Sequence, residues 1–104
     1  MWKDDETNLD KTYDWAEFTL TNGASDYDVR SNIINLWKNI PSARSCIIET
    51  DYNITCKFNN TAYPAGKIDV GNSPAEFTKK LEIEDIYLSN GSGNDATIRI
   101  WLFL

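Results

Sequence analysis

The fold class is decided by one stretch of the sequence, Ile98-Arg99-Ile100-Trp101-Leu102-Phe103-Leu104, with which the printed chain ends. Strand side chains alternate between two faces, so the aliphatic residues point one way while Trp101 and Phe103 point the other. The core of a β-sandwich covers only one face of a strand. We therefore expect the second apolar face, together with Leu104, to lie under another element of the chain or against another subunit.

Short alternating segments of the same kind recur through the rest of the chain. In residues 12–22, for example, Trp15 falls on the face opposite Ala16 and Leu20. Such segments are separated by turns rich in Gly, Asn, Ser and Pro, which are typical strand boundaries. About six to eight short strands at this spacing predict an all-β fold, either an antiparallel β-sandwich or a jelly roll.

Two of the predicted strands carry the two cysteines of the chain. Residues 45–50 and 53–59 are predicted to form a hairpin in which Asn53 takes the left-handed position of the turn. Cys46 and Cys56 would then be neighbours on adjacent strands. This arrangement fits two buried thiols acting as small hydrophobic side chains, or a disulfide formed in an oxidising environment.

One helix is predicted near residues 32–40, where apolar residues recur at helical spacing before Pro41. Those residues are Ile33, Ile34, Leu36, Trp37 and Ile40. Farther along, the apolar residues of segment 81–88 switch parity near Glu84, which predicts a β-bulge. Residues 90–95 are predicted to be the loop of the last hairpin.

Length and composition indicate one compact domain. The 104 residues are 41% hydrophobic and 25% charged, as in ordinary globular proteins, and can bury a core without a metal. We assign residues 12–104 to a single β-sandwich domain. Residues 1–11 are polar and acidic, and we predict that they form a flexible arm with Trp2 as an anchor.

Net charge bears on the partners that the chain can bind. The charge of −6 supplies no basic field for a phosphate backbone, so nucleic acid and anionic membranes are disfavoured. No stretch approaches the roughly 20 apolar residues of a membrane-spanning helix, and the start of the sequence lacks the features of a signal peptide. Synthesis in a cytoplasm is the expectation that follows.

The residue types needed for common catalytic chemistry are scarce. The sequence contains no histidine, which removes the usual general base and the commonest zinc ligand. Two carboxylate groupings remain, Asp26 with Asp28 and the cluster Glu82, Glu84 and Asp85, and a solvated strand face explains both. We therefore expect no enzyme activity, no cofactor and no metal.

The aromatic residues offer a better indication of function. Trp15 and Trp101 lie on the strand faces opposite the aliphatic rows. In a β-sandwich these outer faces are normally exposed to solvent. Such residues are favoured in protein interfaces and in sugar-binding platforms. They could also pack beneath the N-terminal arm.

Several segments follow one another in a characteristic order across residues 12–104, beginning with a strand that ends in a glycine turn. They are residues 26–32 (DYDVRSN), 40–43 (IPSA), 47–51 (IIETD), 54–59 (ITCKFN), 86–90 (IYLSN) and 96–100 (ATIRI). In this order the chain resembles small β-sandwich structural proteins of tailed-phage virions.

The resemblance implies a non-enzymatic virion component present in many copies, such as a capsid decoration or cement protein or a tail or fibre-base subunit. Its partners would be copies of itself, or other virion proteins such as the major capsid protein. The residues expected at the interface are Trp2, Trp15, Trp101, Phe103 and Leu104. The alternatives are a carbohydrate-binding β-sandwich module that uses the same exposed aromatics and, third, a small hydrolase that uses carboxylates.

Overall fold

The computed structural model of the chain describes residues 13–62, 66–68 and 73–104. Eight strands and one short helix follow one another in these ranges. They are β1 (Tyr13–Leu20), β2 (Tyr27–Asp28), α1 (Val29–Asn32), β3 (Ala43–Thr50), β4 (Ile54–Phe58), β5 (Gly66–Ile68), β6 (Ala75–Ile83), β7 (Ile86–Ser89) and β8 (Ala96–Phe103). The all-β sandwich predicted from the sequence is confirmed. The predicted arm at residues 1–11, with Trp2, lies outside the described residues.

The strands form two antiparallel sheets of four strands each. Sheet A has the order β1-β8-β3-β6 and sheet B the order β2-β7-β4-β5. The pairs β1 with β8, β2 with β7, β3 with β6 and β4 with β5 are nested one inside the next. Nested pairing of eight strands, wrapped across two sheets, is the jelly-roll arrangement. Of the two predicted architectures, the structure therefore has the jelly roll.

The core lies between the sheets and is built from alternate residues of each strand. On β8, the last strand, Ala96, Ile98, Ile100 and Leu102 are fully buried. The residues directly opposite them on β1 and β3 also face inward, because residues paired across neighbouring strands point to the same face of the sheet. The aliphatic half of the C-terminal stretch is thus the centre of the core, as its alternation predicts.

The predicted hairpin of residues 45–50 and 53–59 is wrong. β3 belongs to sheet A and β4 to sheet B, so residues 51–53 cross from one sheet to the other. Asn53 is not among the residues with positive φ. Cys46 and Cys56 are both buried, but they enter the core from opposite sheets and are not cross-strand neighbours within one sheet.

The predicted β-bulge near Glu84 is wrong for the same reason. Glu84 and Asp85 link β6 of sheet A to β7 of sheet B, so the parity switch marks a change of sheet. Asn59 holds this corner: its Oδ1 accepts from the Glu84 and Asp85 amides at 2.8 and 3.1 Å. Residues 90–95 likewise cross between sheets and do not close a hairpin.

The predicted helix near residues 32–40 lies earlier in the chain and is shorter. α1 spans Val29–Asn32, and the Asp28 side chain accepts from the Ser31 amide at its start. Residues 34–37 form turns and residues 38–39 a bend; Trp37 has a φ of 60°, and its indole Nε1 donates to the Ile83 carbonyl at 3.1 Å. Within the described ranges, no helix has the length and apolar character needed to cross a membrane.

Candidate functional site: an aromatic patch on the outer face of sheet A

The residues on the outer face of sheet A form rows that cross the strands. Tyr13 on β1 is level with Phe103 on β8, and Trp15 is level with Trp101, which in turn is level with Ile47 on β3. The rings of Tyr13 and Phe103 lie 6.4 Å apart, tilted by 30°. These two rows place four aromatic rings and one aliphatic side chain together, and we call the five residues the outer patch: Tyr13, Trp15, Ile47, Trp101 and Phe103.

The outer patch is accessible to solvent at one end of the molecule. Trp15 is 52% exposed and Tyr13 is 37% exposed, whereas Ile47, Trp101 and Phe103 are half-buried. Leu104, which follows Phe103 directly, is 68% exposed. An apolar surface of this kind is unusual on a protein that works alone, because single exposed apolar residues are common but clusters are not.

A charged row borders the outer patch. Arg99 on β8 lies between Glu17 on β1 and Glu49 on β3, and it donates to their carboxylates at 2.6 and 2.8 Å. The hydrogen bond to Glu17, followed by the one to Glu49, raises the pKa of the Arg99 guanidinium above its ordinary value. The three side chains are exposed or half-buried, so the ion pairs order the surface more than they stabilise the fold.

A groove of about 660 Å³ runs beside β1, which is the edge strand of sheet A in the described part of the chain. One wall is formed by five consecutive residues of β1, from Tyr13 to Glu17. The opposite wall consists of residues 32–35 with Lys38 and Asn39. Ile34 lines the groove and is 79% exposed, so the apolar surface continues from the outer patch around the edge of the sheet.

Asp14 fixes the two walls of this groove relative to each other. Its carboxylate, which is buried, accepts from the Asn39 and Ile40 amides at 2.8 and 3.0 Å and from Asn39 Nδ2 at 2.9 Å. A carboxylate with three donors is a strong, charge-assisted contact. These hydrogen bonds tie β1 to residues 39–40 beside the groove.

Two of the carboxylates considered for acid–base chemistry, Asp26 and Asp28, have structural partners. Asp26 forms an ion pair with Lys57 at 3.1 Å, and Asp28 caps α1 through the amide and hydroxyl of Ser31. Glu82 and Glu84 are exposed on the surface. Among residues 13–62, 66–68 and 73–104, no group of three or more potential ligands could hold a metal ion.

The structure brings together three of the residues predicted at an interface, Trp15, Trp101 and Phe103, on one face of sheet A. Leu104 follows them at the end of β8, and Trp2 lies outside the described residues. Sequence reasoning missed Ile34, which it assigned to the buried side of a helix. The signal that could have found it is the polarity of nearby positions, because Asn35, Lys38 and Asn39 are all polar.

Comparisons with known proteins add no family to this description. The chain matches no protein-family profile and no curated protein sequence.

Proposed function

We propose that the protein is a non-enzymatic assembly module, a jelly roll whose outer patch contacts neighbouring copies of the chain. The observation that carries this proposal is the alignment of Tyr13, Trp15, Trp101 and Phe103 in two adjacent rows on a solvent-facing sheet. Aromatic residues are enriched at the centres of protein interfaces, where they contribute much of the binding energy.

The polar residues that border the outer patch support its assignment as a contact surface. The same strands carry charged and hydroxyl residues at their other end, where Thr19 is level with Thr97 and Arg99 bridges two glutamates. An apolar centre with a polar border is the usual anatomy of a protein interface.

The architecture supports a place in a virion. Eight-stranded jelly rolls occur in viral capsid proteins and in lectins, although a fold alone does not determine function. The order of segments in the sequence resembles small structural proteins of tailed-phage virions. The proposed setting is therefore a capsid decoration, tail or fibre-base component, made in the host cytoplasm and incorporated into the particle.

One observation favours a second function, carbohydrate binding. Arg99 holds Glu17 and Glu49 in fixed positions beside the aromatic rows. Aromatic surfaces combined with a few fixed polar groups are suited to ligands that have both apolar faces and hydroxyl groups, as sugars do. In this alternative the outer patch would stack on sugar rings while the charged row contacts their hydroxyls.

Size-exclusion chromatography with light scattering separates the two functions. If the protein assembles through the outer patch, the wild-type chain is an oligomer, and Trp101→Ala shifts it to the monomer or weakens association by at least tenfold. Tyr13→Ala should act in the same direction, with a smaller effect.

Tyr52→Ala is the matched control. Tyr52 is 38% exposed, nearly the same as Tyr13, but it lies in the β3–β4 connection away from the outer patch. This variant should keep the wild-type mass. A monomeric wild-type chain that binds oligosaccharides in calorimetry, and loses that binding in Trp101→Ala, would replace the assembly function with the carbohydrate-binding one.

A further inference from the structure

The sequence contains two asparagines that are followed directly by glycine, Asn22 before Gly23 and Asn90 before Gly91. Such pairs can lose ammonia without an enzyme, because the amide nitrogen of the glycine attacks the side chain of the asparagine. Glycine permits this approach since it carries no Cβ beside the attacking nitrogen. The two pairs are equivalent in their covalent chemistry, so their surroundings in the fold determine which of them reacts.

The reaction exchanges the side-chain amide group for an oxygen taken from water. The glycine nitrogen gives its proton to a base in the solvent and bonds to the asparagine Cγ. The bond from Cγ to Nδ2 then breaks, and the leaving nitrogen takes up a proton and departs as ammonia. Water opens the resulting succinimide ring. Cleavage of the new bond to Cγ gives aspartate, and cleavage of the original peptide bond gives isoaspartate, in which the backbone runs through Cγ.

Hydrogen bonds hold the side chain of Asn90 in place. The residue is 1% exposed, and its Nδ2 donates to the carbonyls of Leu20 and Asn94 at 2.8 Å each. Its Oδ1 accepts from the amide and the hydroxyl of Ser92 at 3.0 and 2.7 Å. Turning this side chain toward the Gly91 nitrogen would break these bonds at a buried position, where unpaired polar groups are costly.

Asn22 is held less firmly, because it lies at the surface. Asn22, Gly23 and Gly93 are all exposed. The Asn22 Oδ1 accepts from the Gly93 amide at 3.1 Å, and the Gly23 amide donates to the Asn90 carbonyl at 2.8 Å. Exposed turns open locally at a lower cost in free energy than the core does. The attacking nitrogen of Gly23 is therefore released in brief openings of the turn, without unfolding of the sheets.

We propose that Asn22 is a deamidation site of the folded protein and that Asn90 is protected by its hydrogen bonds. The product has one more negative charge, placed beside Asp95, whose carboxylate accepts from the Asn22 amide at 2.9 Å. In the isoaspartate form, the added backbone atom moves the Gly23 nitrogen away from the Asn90 carbonyl. The modification therefore weakens the contact between the β1–β2 and β7–β8 connections.

The modified turn lies far from the outer patch. Leu20, two residues before Asn22, is paired with Ala96 at one end of sheet A, whereas Tyr13 is paired with Phe103 at the other end. Deamidation is thus independent of the assembly function, and each can be tested without the other.

Peptide mapping by tandem mass spectrometry, after incubation of the full chain at mildly alkaline pH, tests the proposal. In the folded protein, we expect Asn22 to convert at least about tenfold faster than Asn90. In the chain unfolded by urea, the two rates should agree within about twofold, because each asparagine is followed by glycine. Equal rates in the folded protein, or faster conversion of Asn90, would overturn the proposal. An Asn22 that stays intact in the folded protein while the unfolded chain is fully converted would overturn it as well.

Ser92→Ala tests the reason given for the protection of Asn90. The variant removes the hydroxyl that donates to the Asn90 Oδ1, so conversion of Asn90 in the folded chain should become at least about threefold faster. Ser25→Ala, at an exposed serine in the β1–β2 connection, is the matched control and should leave the Asn90 rate unchanged. The same Asn90 rate in both variants would contradict the protective role of these hydrogen bonds.

Discussion

At the scale of single residues, buried polar side chains determine where the connections of this jelly roll lie. Asn90 is the clearest case: its Nδ2 donates to the carbonyls of Leu20 and Asn94 at 2.8 Å each, and its Oδ1 accepts from Ser92. It joins the end of β1 to the β7–β8 connection. A buried amide can stay in the core only when its donors and acceptors are satisfied in this way.

Asp14 should contribute more to stability than any surface carboxylate. Asp14→Ala leaves the amides of Asn39 and Ile40 without their acceptor, and we expect it to lower the free energy of unfolding by about 2–3 kcal/mol. Asp14→Asn keeps one acceptor oxygen and should cost less. Urea denaturation provides the measurement, with the exposed Glu76→Ala as a control that should stay within about 0.5 kcal/mol of wild type. Equal losses for Asp14→Ala and Glu76→Ala would contradict the role assigned to Asp14.

Tyr87 should make the fold sensitive to alkaline pH. Partial burial, followed by the nearby carboxylates Asp85 and Asp28, raises the pKa of its hydroxyl above the ordinary value of about 10. Because the unfolded chain loses this proton first, the contribution is complete below about pH 10 and is lost as pH rises through the folded pKa. Unfolding free energies measured in steps from pH 8 to pH 11 should fall less steeply for Tyr87→Phe than for wild type. Parallel curves for the two proteins would show that Tyr87 does not contribute.

At the scale of elements, the alternation in the sequence predicted which residues each strand buries. Ala16 and Leu20 on β1, and Ile98 and Ile100 on β8, are buried as their parity requires. Trp15 and Trp101 lie on the opposite face, as the alternation predicts, and their direct alignment follows from the pairing of β1 with β8. Periodicity is a local property, so this part of the fold and of the outer patch was accessible from the sequence.

The partner of each strand was not accessible from the sequence. The sequence of a turn between two apolar strands does not show whether the strands pair in one sheet or lie in different sheets. Both arrangements bury the same residues. The sequence therefore predicts hairpin loops at residues 51–53 and 90–95, although both segments cross between sheets. The choice depends on the nested pairing of distant strands, in which β1 and β8 are at opposite ends of the domain.

The segment between α1 and β3 shows tertiary contacts overriding a local pattern. Ile34 and Leu36 both fit a helical apolar stripe, yet the structure leaves Ile34 79% exposed and Leu36 2% exposed. Hydrogen bonds from Asn39 and Ile40 to Asp14, and from Trp37 to Ile83, hold these residues as turns. A helix would move those donors away from their acceptors.

Alanine substitutions at the two positions distinguish the turns from a helix. Leu36→Ala should cost about 2–5 kcal/mol, as expected for a buried leucine, whereas Ile34→Ala should change stability by about 0.5 kcal/mol or less. Thermal or urea unfolding of the two variants, measured side by side, provides the comparison. Comparable losses at both positions would mean that Ile34 is buried, as the predicted helix required.

At the scale of the whole molecule, the exposed apolar residues are distributed unevenly. Of the five large hydrophobic residues that are exposed in the described ranges, four lie at the outer patch, the adjacent groove or the end of β8. These are Tyr13, Trp15, Ile34 and Leu104, and Tyr52 is the fifth. We therefore expect association to involve this end of the described surface.

The position of β8 in sheet A also governs when the protein can fold during its synthesis. β8 is the last of the described strands, yet it lies between β1 and β3 in sheet A. Ribosomes add about 5–20 residues per second, so the 75 residues that separate Leu20 from Ala96 in the printed sequence take about 4–15 s to make. Throughout that interval β1 lacks β8, the strand it pairs with in the described part of the chain, and its apolar face is open to chaperones and proteases.

Nascent chains stalled before Ala96 should therefore be cleaved by a protease at many sites. Chains stalled on a long linker after Leu104, with all eight strands outside the ribosome, should resist the same treatment. Protection before β8 emerges would show that the first seven strands fold on their own. If the expected pattern holds, the change from a protease-sensitive to a protease-resistant chain depends on the eight residues of β8.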